Sequence, residues 1–519
     1  MRRSPADPSA ERAGFLDFCG SIAICGIILI AFLFTSTEFD HWFIVPVYIS
    51  GVLISADGIR WFRSRPFTLV DPVGIIGVLG FHFFFLAPLL HVHWDYWMRY
   101  VAAPDDWRPW LGWMAWINLA GLIVYRAAVA RVTYRPVKHK AHNSWVLNEK
   151  RFLQLSIVAM VLTALLQLYV YRTYGGVVAY MTVATDLADQ YAMRGMGWLF
   201  LLSESFPTIA MMAFVVHARR HPRRYSSVAI ALMLLVYLML LLFFGGLRGS
   251  RSNTVWGLFT GVAYIHLWVQ PITRRMLIAG MCFLVLFLYA YGFYKGAGIE
   301  GLKAVPHSDT RAELADETGR TWQSAILGDL GRSDVQAFVL YRLMKEDRDY
   351  DYAYGRTYVG AAAMLIPRQI WPERPPNKVK EGTDALYGQG AYIPETRVAS
   401  RVYGLAGETI LNFGPYVVFL AFGAWGVVVG VINRFTRLWN LNDARYLMVP
   451  VLLNFSFLML ISDSDNLTFF MLKRSIVPLG LIFLSAVRIP AKVCLDSPTD
   501  TINTLRVAST AQTTRIEMA

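Results

Sequence analysis

The chain has 519 residues, of which 55% are hydrophobic and only 16% are charged, and its mean hydropathy is +0.41. A water-soluble protein of this length needs a larger charged surface, so the composition excludes a soluble globular protein and predicts an integral membrane protein. The net charge of +13 gathers in short basic segments between apolar runs, where it can contact anionic lipid headgroups. We therefore expect membrane lipids as partners and no nucleic acid.

Twelve apolar segments follow one another along the chain, each close to the roughly 20 residues that a helix needs to cross a bilayer. We predict that all twelve are transmembrane helices, the last of them the least apolar. They are Phe18–Phe34, Phe43–Ile59, Thr68–Leu90, Trp110–Ala130, Phe152–Tyr171, Trp198–His217, Ser226–Gly245, Asn253–Val269, Met276–Phe293, Pro415–Ile432, Tyr446–Ile461 and Ser475–Val487. The predicted fold class is an all-α polytopic membrane protein with about 12 transmembrane helices.

The distribution of charge predicts how these helices are oriented. With the N-terminus in the cytoplasm, every cytoplasmic loop is basic and the short outer loops hold few lysines or arginines, as the positive-inside rule requires. The predicted cytoplasmic segments are Arg60–Arg65, Arg126–Arg151, Arg219–Arg224, Arg274–Arg275, Arg434–Arg445 and the tail after Arg488. An even number of helices puts both termini in the cytoplasm.

The same pattern divides the chain into four parts. Residues 1–293 hold the first nine helices with short loops, residues 294–407 form one large outer loop, residues 408–488 hold the last three helices, and residues 489–519 form a cytoplasmic tail. Loops as long as 294–407 are usually functional or carry structure of their own. Part of this loop should form an amphipathic helix, because the apolar residues Val335, Phe338, Val339 and Leu343 share one face.

Cationic residues on the outer side depart from the orientation rule and are candidates for a binding site. Arg248 and Arg251 lie in a very short outer connection beside glycine, immediately before a helix. Guanidinium groups and the free backbone N–H groups of a helix start suit a phosphate. The alternative is that both arginines extend to lipid headgroups or pair with an outer acid.

The large loop supplies a second set of cations. Arg332 opens the amphipathic helix together with Asp334, and Arg356 follows Gly355. Arg368 and Lys378 flank a proline-rich stretch, and prolines stiffen an extended backbone and lower the entropy cost of presenting these side chains. The alternative is that most of these cations are solvated and inert.

Glu408 lies where the large loop returns to the membrane, with Asn412 and a Gly414-Pro415 break behind it. An acid in this apolar stretch should face the protein or a water-filled cavity, because facing lipid is costly. Partial burial would raise its pKa toward the range of a general base. The alternative is a structural partner for one of the arginines, and both roles can hold together.

Metal sites are weaker candidates. Asp349-Tyr350-Asp351 and Asp463-Ser464-Asp465 match the acidic pattern with which nucleotide-sugar transferases hold a metal, and His91, His93 and Asp95 could ligate zinc. Acidic pairs at this spacing are common by chance, however, and no third histidine follows. We predict no metal and no cofactor. Asp71 is a lone acid in the third segment, compatible with helix packing or a proton relay.

Taken in order, four motifs resemble those of the Wzy-type oligosaccharide repeat-unit polymerases, the bacterial enzymes of O-antigen and exopolysaccharide assembly. The motifs are Arg248-Gly249-Ser250-Arg251, Gly355-Arg356-Thr357-Tyr358, Ile366-Pro367-Arg368 with Trp371-Pro372, and Gly407-Glu408 with Asn412-Phe413-Gly414. The resemblance covers roughly residues 175–434. The chain departs from the family in having Arg374-Pro375 where a lysine usually precedes the proline, which keeps the charge.

The resemblance implies a membrane-embedded glycosyltransferase of the bacterial inner membrane, with the large loop in the periplasm. The donor would be a growing glycan on undecaprenyl pyrophosphate and the acceptor one lipid-linked repeat unit, whose hydroxyl attacks the anomeric carbon of the donor. Glu408 would be the base. Arg248, Arg251 and Arg368 would stabilise the departing pyrophosphate, with Arg356 and Lys378 in reserve. Secondary candidates are Arg332, Asp334 and Asn412, and a chain-length regulator would be a partner protein.

Two other functions remain open at this point. An O-antigen ligase would use the same arginines and differ only in its acceptor. A flippase or another transporter for lipid-linked oligosaccharides would spread its charges among the transmembrane helices, whereas this sequence gathers them in one outer loop and the segments that enter it. That distribution favours an enzyme.

Overall fold

The computed structural model shows a protein that is almost entirely helical. The structure describes residues 8–135, 144–185, 197–220, 225–248, 251–319, 321–328, 330–346, 350–366, 370–375, 378–393, 398, 401–439 and 441–489. The predicted all-α class is confirmed for this part of the chain. Two four-residue strands are the exception, β1 (Ser144–Leu147) and β2 (Ala486–Ile489), which pair antiparallel.

Within the described residues the structure has twenty α-helices. The first ten are α1 (Pro8–Leu33), α2 (Ile44–Arg63), α3 (Pro72–Phe81), α4 (Ala87–His93), α5 (Arg108–Thr133), α6 (Glu149–Thr173), α7 (Val177–Thr185), α8 (Gly197–Ser203), α9 (Phe206–Ala218) and α10 (Ser227–Phe243). The others are α11 (Arg251–Trp268), α12 (Arg274–Ala304), α13 (Ser308–Thr318), α14 (Ser333–Met344), α15 (Arg356–Ala363), α16 (Lys378–Tyr387), α17 (Gly404–Phe413), α18 (Val418–Leu438), α19 (Val449–Ile461) and α20 (Ser464–Ser485).

Ten helical stretches of the described chain are long and apolar enough to cross a membrane, so the protein is a multi-pass membrane protein. They are Ala13–Leu33, Ile44–Arg63, Pro72–His93, Arg108–Thr133, Glu149–Thr173, Gly197–Ala218, Arg274–Ala304, Pro415–Leu438, Ala444–Ile461 and Ser464–Ser485. The two other predicted spans form α10, which is apolar but only 17 residues long, and α11. The number twelve therefore stays a prediction.

The last span begins well before its predicted start. Hydropathy places it at Ser475–Val487, whereas α20 begins eleven residues earlier at Ser464. The first half of α20 contains Asp465, Lys473 and Arg474, which are all buried. Buried charges lower the mean hydropathy of a span, because the hydropathy scale treats each charge as if it faced lipid. A span that contains them is therefore easily missed.

Contacts bring together the segments that were predicted to lie on one side. Strand β1, from the basic segment before α6, pairs with β2 at the end of the last span. Glu149 at the start of α6 accepts hydrogen bonds of 2.6 Å from Arg219 and from Arg220. At the other ends of the helices, Arg108 pairs with Glu38. These contacts agree with an alternating path of the helices.

Among the described residues, helices α5 and α18 share the most extensive helix–helix contact. Gly426 lies at the crossing, where an added Cβ would be 2.6 Å from the Tyr125 carbonyl oxygen and 2.9 Å from the Ala128 Cβ. The Tyr125 and Trp425 rings stack beside it with their centroids 4.0 Å apart. Small residues let helix backbones approach closely in a membrane, where packing rather than hydrophobic burial holds helices together.

The large loop folds onto the bundle through α14 and α15. The predicted amphipathic helix is present as α14, and its apolar face is buried against α5 and α17. Helix α15 packs on α20 and on α16. Helix α12 runs through the predicted start of the loop, with a break at Ala297 and Gly298, and ends at Ala304. The loop thereby places α15 and α16 beside the start of α20.

The α5–α18 crossing generates the first prediction. Gly426→Ala should lower the melting temperature of the purified protein, because the gain of about 1 kcal/mol in helix propensity is smaller than an overpacking cost of about 1–3 kcal/mol. Gly480→Ala on α20 is the matched control, since its Cβ would meet nothing within 4 Å. It should leave the melting temperature unchanged or raise it. Equal shifts in both variants would contradict the close packing.

Candidate functional site

Two groups of charged residues contact α20, one at its start and one at its middle. We call Glu408, Asp463, Asp465 and Lys378 the acidic cluster; all four are at least 94% buried. We call Arg248, Lys473 and Arg474, together with Glu204, the cationic cluster. The two groups contain five of the predicted or suspected site residues and three residues that the sequence did not single out.

Glu408 lies on α17, beside the start of α20, and accepts three hydrogen bonds. Its Oε1 accepts from the Thr357 hydroxyl at 2.7 Å and from the Ser464 hydroxyl at 2.6 Å, and its Oε2 accepts from the Ser464 backbone N–H at 2.7 Å. The carboxyl therefore caps α20, whose N-terminal dipole favours a negative charge. Thr357 belongs to α15, so the cluster joins the loop to the bundle.

Asn412 connects the two motifs that flank Glu408. Its amide Nδ2 donates to the Thr357 hydroxyl at 2.7 Å and to the Glu408 backbone carbonyl at 2.8 Å. Its Oδ1 accepts from the backbone N–H of Gly355 at 2.9 Å. The segment Gly355–Tyr358 and the segment Glu408–Asn412 are about fifty residues apart in sequence and form one hydrogen-bonded unit.

Lys378 and Asp463 form an ion pair that is almost completely buried. The other oxygen of Asp463, Oδ1, accepts the backbone N–H groups of Tyr403 at 2.8 Å and of Gly404 at 2.9 Å and so caps α17. Lys378 also donates to the Arg401 carbonyl at 2.7 Å. Burial alone would lower the pKa of Lys378, but the charge of Asp463 holds it above its ordinary value. Lys378 therefore already has a carboxylate partner, and Asp463 serves as that partner and as a helix cap.

The surroundings of Glu408 suit a base. Burial, and after it the neighbouring charge of Asp463, raise the pKa of Glu408 to about 7, although the hydrogen bonds from Ser464 and Thr357 act in the opposite direction. A carboxyl with a pKa close to the pH of its surroundings can both accept and release a proton.

Arg356 reaches the surface beside this unit. Its guanidinium makes two hydrogen bonds to Glu381, of 2.7 and 2.9 Å, and 49% of its side chain is exposed. The Tyr350 hydroxyl donates to the same carboxylate at 2.7 Å. Burial would raise the pKa of Glu381, but the bonds from Arg356 and Tyr350 lower it below its ordinary value. Arg356 is thus held in place by Glu381 while about half of its side chain faces solvent.

The cationic cluster surrounds Glu204, which lies in the turn between α8 and α9. Arg248 Nη2 is 2.9 Å from Glu204 Oε1, and Lys473 Nζ is 2.8 Å from Oε2. The Asn253 amide also donates to Glu204, at 3.0 Å. The Arg474 guanidinium donates to the Thr208 hydroxyl at 2.8 Å. Glu204, Lys473 and Arg474 are each at least 97% buried inside candidate spans.

Sequence reasoning missed Glu204, Lys473 and Arg474, although a signal for them exists. A charged residue inside a transmembrane segment is rare and costly, and such residues usually mark a functional site. Glu204 interrupts the predicted span Trp198–His217, and Lys473-Arg474 directly precedes the predicted span Ser475–Val487. The pair falls outside the predicted span, which begins eleven residues later than α20 does.

The remaining predicted residues lie elsewhere. Arg332 donates to the Gly328 carbonyl, and the Oδ1 of buried Asp334 is 3.8 Å from His91 Nε2. Asp71 accepts the N–H groups of Val73 and Gly74 at the start of α3, a cap consistent with the helix-packing alternative. Arg368, Asp349 and the Arg251 side chain lie outside the described part of the chain. Within it, no three His, Cys, Asp or Glu side chains converge as metal ligands.

The two clusters lie on opposite faces of α20. Lys473 follows Ser464 by nine residues, which is two and a half turns and about 14 Å along the helix axis. On one side α20 packs against α15, and on the other against α6, α8 and α9. The structure thus brings Glu408 together with Thr357, Asn412 and the start of α20, and it places Arg248 in a separate group.

No protein-family model, curated protein sequence or solved structure matches this chain. The resemblance to the polymerases therefore depends on the motifs alone.

The buried ion pair generates the second prediction. Lys378→Met should lower the free energy of unfolding by about 3–5 kcal/mol, because it leaves the Asp463 carboxylate buried without a partner. Adding Asp463→Asn removes the orphaned charge and keeps an oxygen that can cap α17, so the double variant should recover part of the loss. Thermal unfolding of the detergent-solubilised proteins measures both changes. A double variant that is less stable than Lys378→Met would contradict this role.

Proposed function

We propose that the protein is a membrane-embedded glycosyltransferase that polymerises undecaprenyl-pyrophosphate-linked repeat units at the periplasmic face of the bacterial inner membrane. One observation supports this proposal most directly. The loop segment Gly355–Tyr358 and the segment Glu408–Asn412, which supply two of the four motifs, form one hydrogen-bonded unit around a carboxyl whose pKa is raised to about 7. A polymerase needs such a base to activate a sugar hydroxyl.

In the proposed reaction Glu408 accepts the proton of the acceptor hydroxyl. The hydroxyl oxygen bonds to the anomeric carbon of the donor, and the bond between that carbon and the pyrophosphate breaks. Glu408 is 2% exposed, and its Oε1 is already bonded to the Thr357 and Ser464 hydroxyls. A sugar hydroxyl would therefore have to take the place of one of these two donors. Their geometry shows where a hydroxyl can sit within hydrogen-bond reach of the base.

The leaving group of this reaction is undecaprenyl pyrophosphate, which needs cations rather than a proton. Arg356 supports this role, because it is the predicted cation next to Thr357 whose side chain is half exposed. Arg251 and Arg368 remain proposed contributors. Lys378 is less suitable than expected, since it is buried against Asp463. We propose that Lys378 acts as a positioning residue for α17.

One observation favours a second candidate function, a flippase for the same lipid-linked oligosaccharides. The expectation that the charges gather in the outer loop is wrong for Glu204, Lys473 and Arg474, which are buried inside candidate spans. Charged groups within spans are typical of transport pathways. The two functions predict different locations for unpolymerised repeat units, the outer leaflet for a lost polymerase and the inner leaflet for a lost flippase.

The third prediction concerns the base. Glu408→Gln keeps the size of the side chain but cannot accept the proton, so polymerisation should fall by about 100-fold or more and single repeat units should accumulate. Gel analysis of the glycan in cells measures chain length, and labelling of the outer leaflet locates the repeat units. Glu373→Gln, a change at an exposed loop acid, should leave long chains intact.

Long chains in the Glu408→Gln strain would contradict the polymerase assignment. Repeat units that are confined to the inner leaflet in that strain would instead support the flippase.

The fourth prediction concerns pH. A base must be ionised, so the rate should rise with pH and level off above about 7, the pKa of Glu408. Thr357→Val removes a hydrogen bond that stabilises the ionised carboxyl and should move this midpoint to higher pH. Right-side-out membrane vesicles expose the outer face to the buffer and allow the measurement. Thr310→Val, at an exposed threonine of α13, should not move the midpoint, and an unshifted Thr357→Val profile would remove Glu408 as the titrating group.

A further inference from the structure

The cationic cluster contains more positive than negative charge. Arg248, Lys473 and Arg474 carry three positive charges, and among the described residues Glu204 is the one carboxylate within ion-pair distance of them. Arg474 has the Thr208 hydroxyl and the Asn253 carbonyl as neutral acceptors, and its Nε has no hydrogen-bond partner in the described part of the chain. The cluster therefore has a formal excess of two positive charges.

An excess of positive charge costs free energy when the cations are buried. Lys473 and Arg474 are 97% and 99% buried, and burying a cation without a counter-charge costs more than its other contacts return. A purely structural network would place a counter-charge beside each buried cation, as Asp463 does for Lys378. The imbalance points to an anion with about two negative charges that the protein binds from outside.

We propose that the cationic cluster binds the diphosphate group of a lipid inside the membrane. The three cations present guanidinium and ammonium donors to one region, which is the arrangement that phosphate oxygens favour. Lys473 is twelve residues before the end of α20, or about 18 Å from that end, so the cluster lies close to the middle of a core of about 30 Å, slightly toward its outer side. A lipid that keeps its chain in the bilayer can reach this depth.

Arg248 provides the entrance to this site. Its side chain is 20% exposed, whereas those of Lys473 and Glu204 are at most 3% exposed. The Phe200 ring lies 4.4 Å below its guanidinium carbon and holds the group in place without neutralising it. Because Arg248 occupies the edge and Lys473 and Arg474 the interior, a diphosphate could bridge the edge and the interior.

The distance between the cationic cluster and Glu408 indicates which of the two substrate lipids the cluster binds. This step rests on the proposed function. A polymerase holds two diphosphate lipids at once. The donor breaks its bond at the diphosphate, so that group must lie at the reaction centre. The reacting hydroxyl of the acceptor lies an oligosaccharide away from its own diphosphate. A cation site on the far face of α20, about 14 Å along the helix from Ser464, fits the acceptor.

The test is binding of undecaprenyl diphosphate to the purified full-length protein, measured by native mass spectrometry without turnover. Lys473→Met should weaken binding at least about tenfold, because it removes one of the buried charges that attract the ligand. The same variant should melt at an equal or higher temperature in the absence of ligand, because Glu204 keeps Arg248 as its partner and the excess of positive charge in the cluster falls from two to one. A residue that only stabilised the fold would lower the melting temperature.

Three further variants sharpen the result. Glu204→Gln increases the excess charge and should tighten binding while lowering the melting temperature without ligand. Arg275→Met removes an exposed arginine at the start of α12 and should change neither quantity. Glu408→Gln should retain at least half of the bound diphosphate. Retained binding distinguishes this inference from the proposed function, which can fail in the glycan assay while the cluster still binds the lipid.

Two outcomes would overturn the proposal. Undiminished binding of undecaprenyl diphosphate to Lys473→Met would show that the cluster is not the site. Equal binding of phosphatidylglycerol, lost in the same variant, would show that the ligand is an ordinary phospholipid phosphate rather than a diphosphate. Weak phosphatidylglycerol binding together with loss of the diphosphate in Lys473→Met would support the assignment.

Discussion

The buried ion pair between Lys378 and Asp463 is the interaction on which the rest of the site depends. Lys378 begins α16 in the large loop, Asp463 directly precedes α20, and the carboxylate also caps α17. One side chain thereby fixes three helices relative to one another. Glu408 lies on α17 and accepts hydrogen bonds from the start of α20, so its geometry depends on the same contacts. Without the compensating lysine, the buried carboxylate would destabilise all of these contacts together.

Helix α20 separates two regions of opposite charge. Its start faces the acidic cluster, where Ser464 donates both a hydroxyl and a backbone N–H to Glu408. Its middle contributes Lys473 and Arg474 to the cationic cluster on the other face. The acids lie at the positive end of the helix dipole, which favours them. The cations lie in the middle of the helix, beyond the reach of either end of the dipole, so their stability depends on tertiary partners and on ligands.

Hydropathy predicted most of the helices because each is an uninterrupted apolar run, and it failed where polar side chains find partners only in the tertiary structure. The start of α20 is the main example, since the partner of Lys473 is Glu204, 269 residues away. Glu408 was recognised as a candidate because a lone acid beside a Gly-Pro break is locally conspicuous. Its hydroxyl partners are 51 and 56 residues distant, and no local pattern predicts them. Lys378 was expected to be free for a ligand for the same reason, as Asp463 is 85 residues away.

The acidic cluster does not remove the need for a bound anion at the cationic cluster. Glu408, Asp463 and Asp465 carry three negative charges when ionised and Lys378 one positive, so the two clusters have equal and opposite formal excesses. Across about 14 Å, one pair of unit charges attracts by about 1 kcal/mol at an effective dielectric constant of about 20, so excesses of two charges on each side attract by about 5 kcal/mol. Removing a single ion from water costs several kcal/mol. Attraction through α20 therefore offsets only part of the cost of burying Lys473 and Arg474, and a diphosphate a few ångströms from these groups would offset far more.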